Sequence, residues 1–224
     1  MAFRDPIDSF FQLEPVLSVQ AVDEPQPPPF VAQSHSERMI ALEDLKRLYL
    51  LLPKRKSAAH SMSEDLPSSS WLTMQAVLAA FVKREVEFVV IGDYAVVFHG
   101  HVRLTKDIDL FIHRSEENAH RIVTAFNELG FKHPELTLES LMKPGSVYKF
   151  GRAPQQVELL NEVKGITWEE TRDGAIPEKL LEQSVHFMDL ETLIKSKKAA
   201  GRLQDLADAE ALERIRRDSW LGDA

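Results

Sequence analysis

Between Phe88 and Ile112 the chain passes from an apolar segment into a glycine, then through a second apolar segment into two aspartates one residue apart. Residues 86–91 are short, apolar and rich in β-branched side chains, and they end at Gly92, which reads as a buried strand. Residues 94–99 read as a short helix stopped by Gly100. Asp107, Asp109 and Phe111 then alternate with Ile108, Leu110 and Ile112, which predicts a second strand. Side chains two apart on a strand share a face, with Cα atoms about 6.5 Å apart. Asp107 and Asp109 therefore project together beside a glycine turn and repel by roughly 2–3 kcal/mol at an effective dielectric near 20. A divalent cation between them relieves that repulsion, so the pattern points to a metal-dependent phosphate site.

The order of these residues resembles the nucleotidyltransferase superfamily typified by DNA polymerase β. Its signature is a hydrophobic residue, Gly, Gly or Ser, a spacer, and Asp-hydrophobic-Asp. Here the positions are Ile91, Gly92, Asp93, thirteen residues, then Asp107, Ile108 and Asp109. Gly92, Ala95, His99, Gly100, Arg103, Thr105, Asp107 and Asp109 are similar to a run in small bacterial minimal nucleotidyltransferases and AbiEii-type toxin relatives. A second block, Leu193, Ile194, Lys197, Ala200, Gly201, Arg202, Asp205, Leu206 and Asp208, is similar to their C-terminal helices. Together the likeness covers about residues 72–216.

That resemblance implies a Mg²⁺-dependent enzyme moving a nucleoside monophosphate from an NTP to a hydroxyl. Asp107 and Asp109 would hold two Mg²⁺ ions on the triphosphate, an arrangement that suits a cation completing its shell with phosphate and water. Glu158, in Val157-Glu158-Leu159-Leu160, stands where the family has Asp, with one methylene more. It would be the third metal ligand and help take the hydroxyl proton; the alternative is a solvent-facing residue on an edge strand. Gly92 would let the backbone approach the phosphates, which the following helix start can bind. Arg103 and Lys197 would contact phosphates, and Arg202 with Asp205 would pin the C-terminal helices. Asp93 departs from the Gly or Ser of the signature; it is a nucleotide-binding candidate with Gly92, Arg103 and Lys197, and beside the phosphates it would either ligate metal or turn away as a helix cap. Protein, RNA and small molecules are the implied acceptors, with an antitoxin-type protein as a further partner if the chain belongs to a toxin–antitoxin pair. Two other readings are a catalytically silent module binding a nucleotide or a partner, and an antibiotic-modifying adenylyltransferase.

Other features narrow the function. The formal net charge of −8 gives no general attraction for nucleic acid. Lys195, Lys197, Lys198 and Arg202 are the candidates for a local basic patch, or equally for a solvated helix face. There is no cysteine, which excludes disulfides, thiolate metal sites and a cysteine nucleophile. His99, His101 and His113 lack a further ligand at zinc spacing, and His99 reads as a local structural residue. Gly-rich phosphate loops of the Walker or dinucleotide type and serine-hydrolase signatures are absent. Phe81, Phe88, Phe98, Phe111 and Phe126 are expected in the core.

The expected organisation is an N-terminal extension over 1–70, a domain over 71–216 and a tail over 217–224. In the extension, proline-rich 25–29 and serine-rich 57–70 read as poorly ordered, around one amphipathic helix at 36–52. Met62 is an alternative start to Met1. Acids stand near the N-terminus where a signal peptide has an apolar core, and the apolar run at 48–52 is too short to span a bilayer, so a cytoplasmic protein with no membrane association is expected. In the domain, helices are expected at 70–84, 115–129, 138–142, 190–200 and 203–216, the last two split at Gly201, with further strands at 147–150, 156–160 and 185–188. Strands interspersed with helices predict an α+β fold, a small mixed sheet flanked by helices.

Overall fold

The computed structural model describes residues 74–132, 134–151 and 155–222. The extension over 1–70, its helix at 36–52 and the choice between Met1 and Met62 lie outside the described residues. The order is α1 (Met74–Lys83), β1 (Phe88–Ile91), α2 (Gly92–Phe98), β2 (Asp107–Ile112), α3 (Glu116–Glu128), α4 (Leu138–Met142), β3 (Val147–Phe150), β4 (Gln156–Leu160), α5 (Trp168–Gly174), β5 (Ile176–Leu180), β6 (Gln183–Phe187), α6 (Leu190–Ala200) and α7 (Leu203–Gly222). The fold is α+β, with six strands in the order β3-β4-β2-β1-β6-β5. Neighbours β1/β2, β3/β4 and β5/β6 are antiparallel, whereas β2/β4 and β1/β6 are parallel, so the sheet is mixed.

Local chemistry explains most of these boundaries. Ser115 caps α3 by accepting from the Asn118 amide at 3.2 Å, and Thr137 and Ser140 form a reciprocal capping box on α4. Asp189 caps α6 through the Thr192 amide at 3.0 Å, and the helix ends at Gly201 in the left-handed conformation. α7 continues past the expected end at Arg216 to Gly222, because nothing between them breaks a helix. Two elements were not expected, α5 and β5. No helix among the described residues is long and apolar enough to cross a membrane.

The core forms where α1 and α3 meet the sheet. Phe81 packs edge-on against Phe88 and Phe126, with centroids 5.7 and 5.6 Å away, and Phe126 lies 4.3 Å from Phe150 on β3. Phe98, at the end of α2, stacks on Phe187 of β6 at 4.3 Å. His99 Nε2 lies 2.8 Å from the Met188 carbonyl, so this histidine ties α2 to the end of β6, the structural part expected of it.

Candidate active site

Strand register builds the site. Ile91 of β1 lies opposite Asp109 of β2, Asp109 opposite Glu158 of β4, and Glu158 opposite Lys149 of β3. Directly opposed residues project from the same face of a sheet. Asp107, Asp109, Glu158 and Lys149 therefore share one face, while Ile108, Leu110, Val157 and Leu159 are buried. β4 is an internal strand and Glu158 is buried, so the solvent-facing alternative does not hold.

Gly92 fits against this row as no other residue would. Its φ is +63°, and a Cβ there would lie 2.0 Å from Asp109 Oδ2. Gly92→Ala is expected to cost about 1–2 kcal/mol for the left-handed backbone alone and to displace the Asp109 carboxylate. Chemical denaturation measures the first effect and Mn²⁺ titration the second; unchanged values in both would refute this account.

The carboxylates repel one another. Burial first, and then the charges of Asp107, Glu158 and Asp93, push the Asp109 carboxyl up to about 7, with Lys197 opposing. Asp107 is raised by burial and by Glu158. Lys149 Nζ and Gln156 Nε2 both donate to Glu158 Oε1, at 2.6 and 2.9 Å. The Glu158 carboxylate also meets the Asp107 carboxyl. Among the described residues, no group of three or more His, Asp or Glu side chains is placed to hold a metal ion by itself. An all-oxygen, open donor set with unrelieved like charge suits a hard divalent cation that draws its remaining ligands from phosphate and water.

Behind the row lies a network of ion pairs. Lys197 Nζ donates to Asp93 Oδ1 (3.0 Å), Asp205 Oδ1 (3.2 Å) and Asp208 Oδ2 (2.8 Å). Arg103 donates to both oxygens of Asp208, at 3.0 and 2.8 Å, and to Asp93. Burial would raise the Asp93 carboxyl, but the Arg103 hydrogen bond and the two cations hold it below the usual carboxylate range. Asp93 is thus not a helix cap. The N-cap of α2 is Ile91, with no side-chain cap bond, and Asp93 gains more from two cations than from a backbone amide. Arg202 pairs with Asp205 at 2.5 Å within the start of α7, so it is Lys197, through Asp205 and Asp208, that joins α6 to α7. The expected basic patch is neutralised, since Lys195 pairs with Glu170 and Lys198 with Glu213.

The acidic row and part of the network border a cleft of about 310 Å³, which falls at the lower end of the range for small-ligand sites. Of the residues given a role from the sequence, Gly92, Asp93, Asp107, Asp109, Glu158, Lys197, Arg202 and Asp205 line it; Arg103 does not, and reaches it only through Asp93. Lys149, Gln156 and Asp208 were not assigned roles from sequence. The i, i+3 spacing of Asp205 and Asp208 on one helix face was the available signal for Asp208; nothing local marks Lys149 as facing Glu158.

Residues 71–220 match the family described as "Nucleotidyl transferase of unknown function (DUF2204)". No curated protein matches the chain.

Proposed function

From the premise that the chain belongs to the DUF2204 family, within the nucleotidyltransferase superfamily, we propose that its cleft moves a nucleoside monophosphate from an NTP to a hydroxyl acceptor, with Mg²⁺ as cofactor. One observation carries this reading: Asp107, Asp109 and Glu158 lie on one sheet face beside a glycine whose side chain is excluded by Asp109 itself.

Asp107, Asp109 and Glu158 would hold the cation. When bound, Mg²⁺ would neutralise the triphosphate and stabilise charge developing on the entering and leaving oxygens. Gly92 brings the backbone close enough for a phosphate to meet the first amides of α2. Glu158, with Oε1 tied to Lys149 and Gln156, offers its carboxylate to the cation or to the attacking hydroxyl's proton. Asp109, raised to about 7 in the free site, would be held in its ionised form by a bound cation. Asp93, whose charge would otherwise oppose a triphosphate, is matched by Arg103 and Lys197. That removes the main objection to activity and weakens the reading of a silent binding module.

Protein, RNA and small molecules are all acceptors compatible with an open cleft, and an antitoxin-type partner rests on the sequence likeness alone. The test is incubation of purified protein with lysate, Mg²⁺ and each α-³²P-labelled NTP, beside Asp107→Ala/Asp109→Ala. Label entering a protein, RNA or small-molecule fraction with the wild type alone is the expected result. Folded wild type that labels nothing with any NTP would overturn transfer in favour of the silent module, which would keep partner binding in the double variant.

A further inference from the structure

Four cations border the cleft: Lys149, Lys164, Lys197 and Arg202. Three are already held by acids. Lys149 is bound by Glu158, Lys197 by Asp93, Asp205 and Asp208, and Arg202 by Asp205. Lys164 is exposed and, among the described residues, has no carboxylate within ion-pair distance.

Its backbone is nonetheless anchored on both sides. Asn161 is buried, donates to the Leu141 and Lys143 carbonyls at 2.7 Å each, and accepts from the Ser146 amide at 3.0 Å. Val163 packs against the core. Gly165 has φ +82°, and a Cβ there would lie 2.3 Å from the Ala199 Cβ, so the turn is pressed against α6. A segment fixed at Asn161 and at Gly165 presents the one ammonium between them to the cleft. This is more construction than a solvated surface lysine requires.

The charges divide the cleft into two parts. The row of Asp107, Asp109 and Glu158 attracts a cation, and the cations nearest it are occupied. A polyphosphate entering with its Mg²⁺ would still carry negative charge beyond that row, and a flexible ammonium is a good point-charge partner for it. We infer that Lys164 binds the polyphosphate of the nucleotide, the part the sequence pattern gave to Arg103 and Lys197. Those two residues instead hold Asp93 and Asp208 in place. The inference rests on the nucleotidyl-transfer reading and adds to it a binding residue outside both sequence blocks that carry the family likeness.

Calorimetric titration of wild type, Lys164→Ala, Lys164→Arg and Lys179→Ala tests it, with Mg²⁺ present and NTP, inorganic tripolyphosphate and uncharged nucleoside as probes. Lys179 is an exposed lysine on the far edge strand and serves as the control. Lys164→Ala is expected to raise Kd for both polyphosphates by about tenfold or more. Its nucleoside binding and melting temperature should stay at the wild-type values. Lys164→Arg should stay within about threefold of wild type, since it keeps the charge, and Lys179→Ala should not differ. Polyphosphate binding by Lys164→Ala within about twofold of wild type, where one charge-assisted contact predicts more, overturns the inference while leaving the transfer reading intact. An equal loss of nucleoside binding also overturns it, because Lys164 would then be part of the wall rather than a phosphate contact. Wild type that binds no NTP at all sinks the transfer reading and the inference together.

Discussion

Asp109→Asn is expected to abolish transfer and at the same time to stabilise the protein above neutral pH. The Asp109 carboxyl is raised from 3.8 to about 7 in the folded state, first by burial and then by Asp107, Glu158 and Asp93. Between these two values the folded chain keeps a proton that the unfolded chain has lost. Stability therefore falls as pH rises through that window and is lowest above about 7. Three units correspond to about 4 kcal/mol; coupling to Asp107 and Glu158 spreads the effect over several groups, so about 2–4 kcal/mol is the expected gain on removing this charge. For a domain of this size that is a rise in melting temperature of roughly 5–15 °C at pH 8. The gain should shrink toward zero below about pH 3, under both the unfolded value of 3.8 and the folded one, where Asp109 is protonated in both states. Transfer should fall by about 10³-fold or more, as when an electrostatic stabiliser is removed from an active site. Millimolar Mg²⁺ should raise the melting temperature of the wild type at pH 8 by mass action and leave the variant unmoved. A variant less stable than wild type at pH 8 would show that the acidic row is solvated and not strained.

The acidic row was legible in sequence because its determinants are local. Asp107 and Asp109 reveal a shared face by their period of two, and Gly92 marks the turn that reaches them. Glu158 was legible as a position, and so was the local pairing of β3 with β4, but its burial was not, because β4 becomes an internal strand only by pairing in parallel with β2, far from it in sequence. The hairpin of β5 and β6 escaped for a definite reason. Its two-residue turn puts Leu181 and Glu182 at φ +48° and +66°, a conformation normally signalled by Asn or Gly. Pro177 further disguised β5, although proline is tolerated there because β5 is an edge strand. α5 carried a readable signal in Thr167, which caps it through the Glu170 amide at 3.2 Å. Asp93 was misread as a cap because its partners come from residues 10 and 104 positions away, and no local pattern brings Arg103 and Lys197 to one carboxylate.

That long-range convergence makes Asp208 the second position of large effect. Its side chain is fully buried and accepts from Arg103 twice and from Lys197 once. Asp208→Ala leaves Arg103 with Asp93 alone and Lys197 with Asp93 and Asp205, so two largely buried cations lose a fully buried carboxylate partner. Breaking one side of a buried ion pair costs about 3–5 kcal/mol, or roughly 6–20 °C of melting temperature at this size. Asp208 does not line the cleft, yet NTP affinity should fall as well, because Lys197 would then be free to draw Asp93 out of place. Lys197→Met removes the opposite charge, so Asp208→Ala combined with it should cost less than the sum of the two by about 1–3 kcal/mol. Additive losses would show that Asp208 and Lys197 act on stability independently, and a loss under about 1 kcal/mol for Asp208→Ala would fall below the range for a buried pair and refute the network as the support of the cleft wall. Between these outcomes the same cycle separates the two parts of the cleft. Lys164→Ala should weaken polyphosphate binding without moving the melting temperature, whereas Asp208→Ala should weaken it by unfolding the scaffold that holds Asp93 and Lys197.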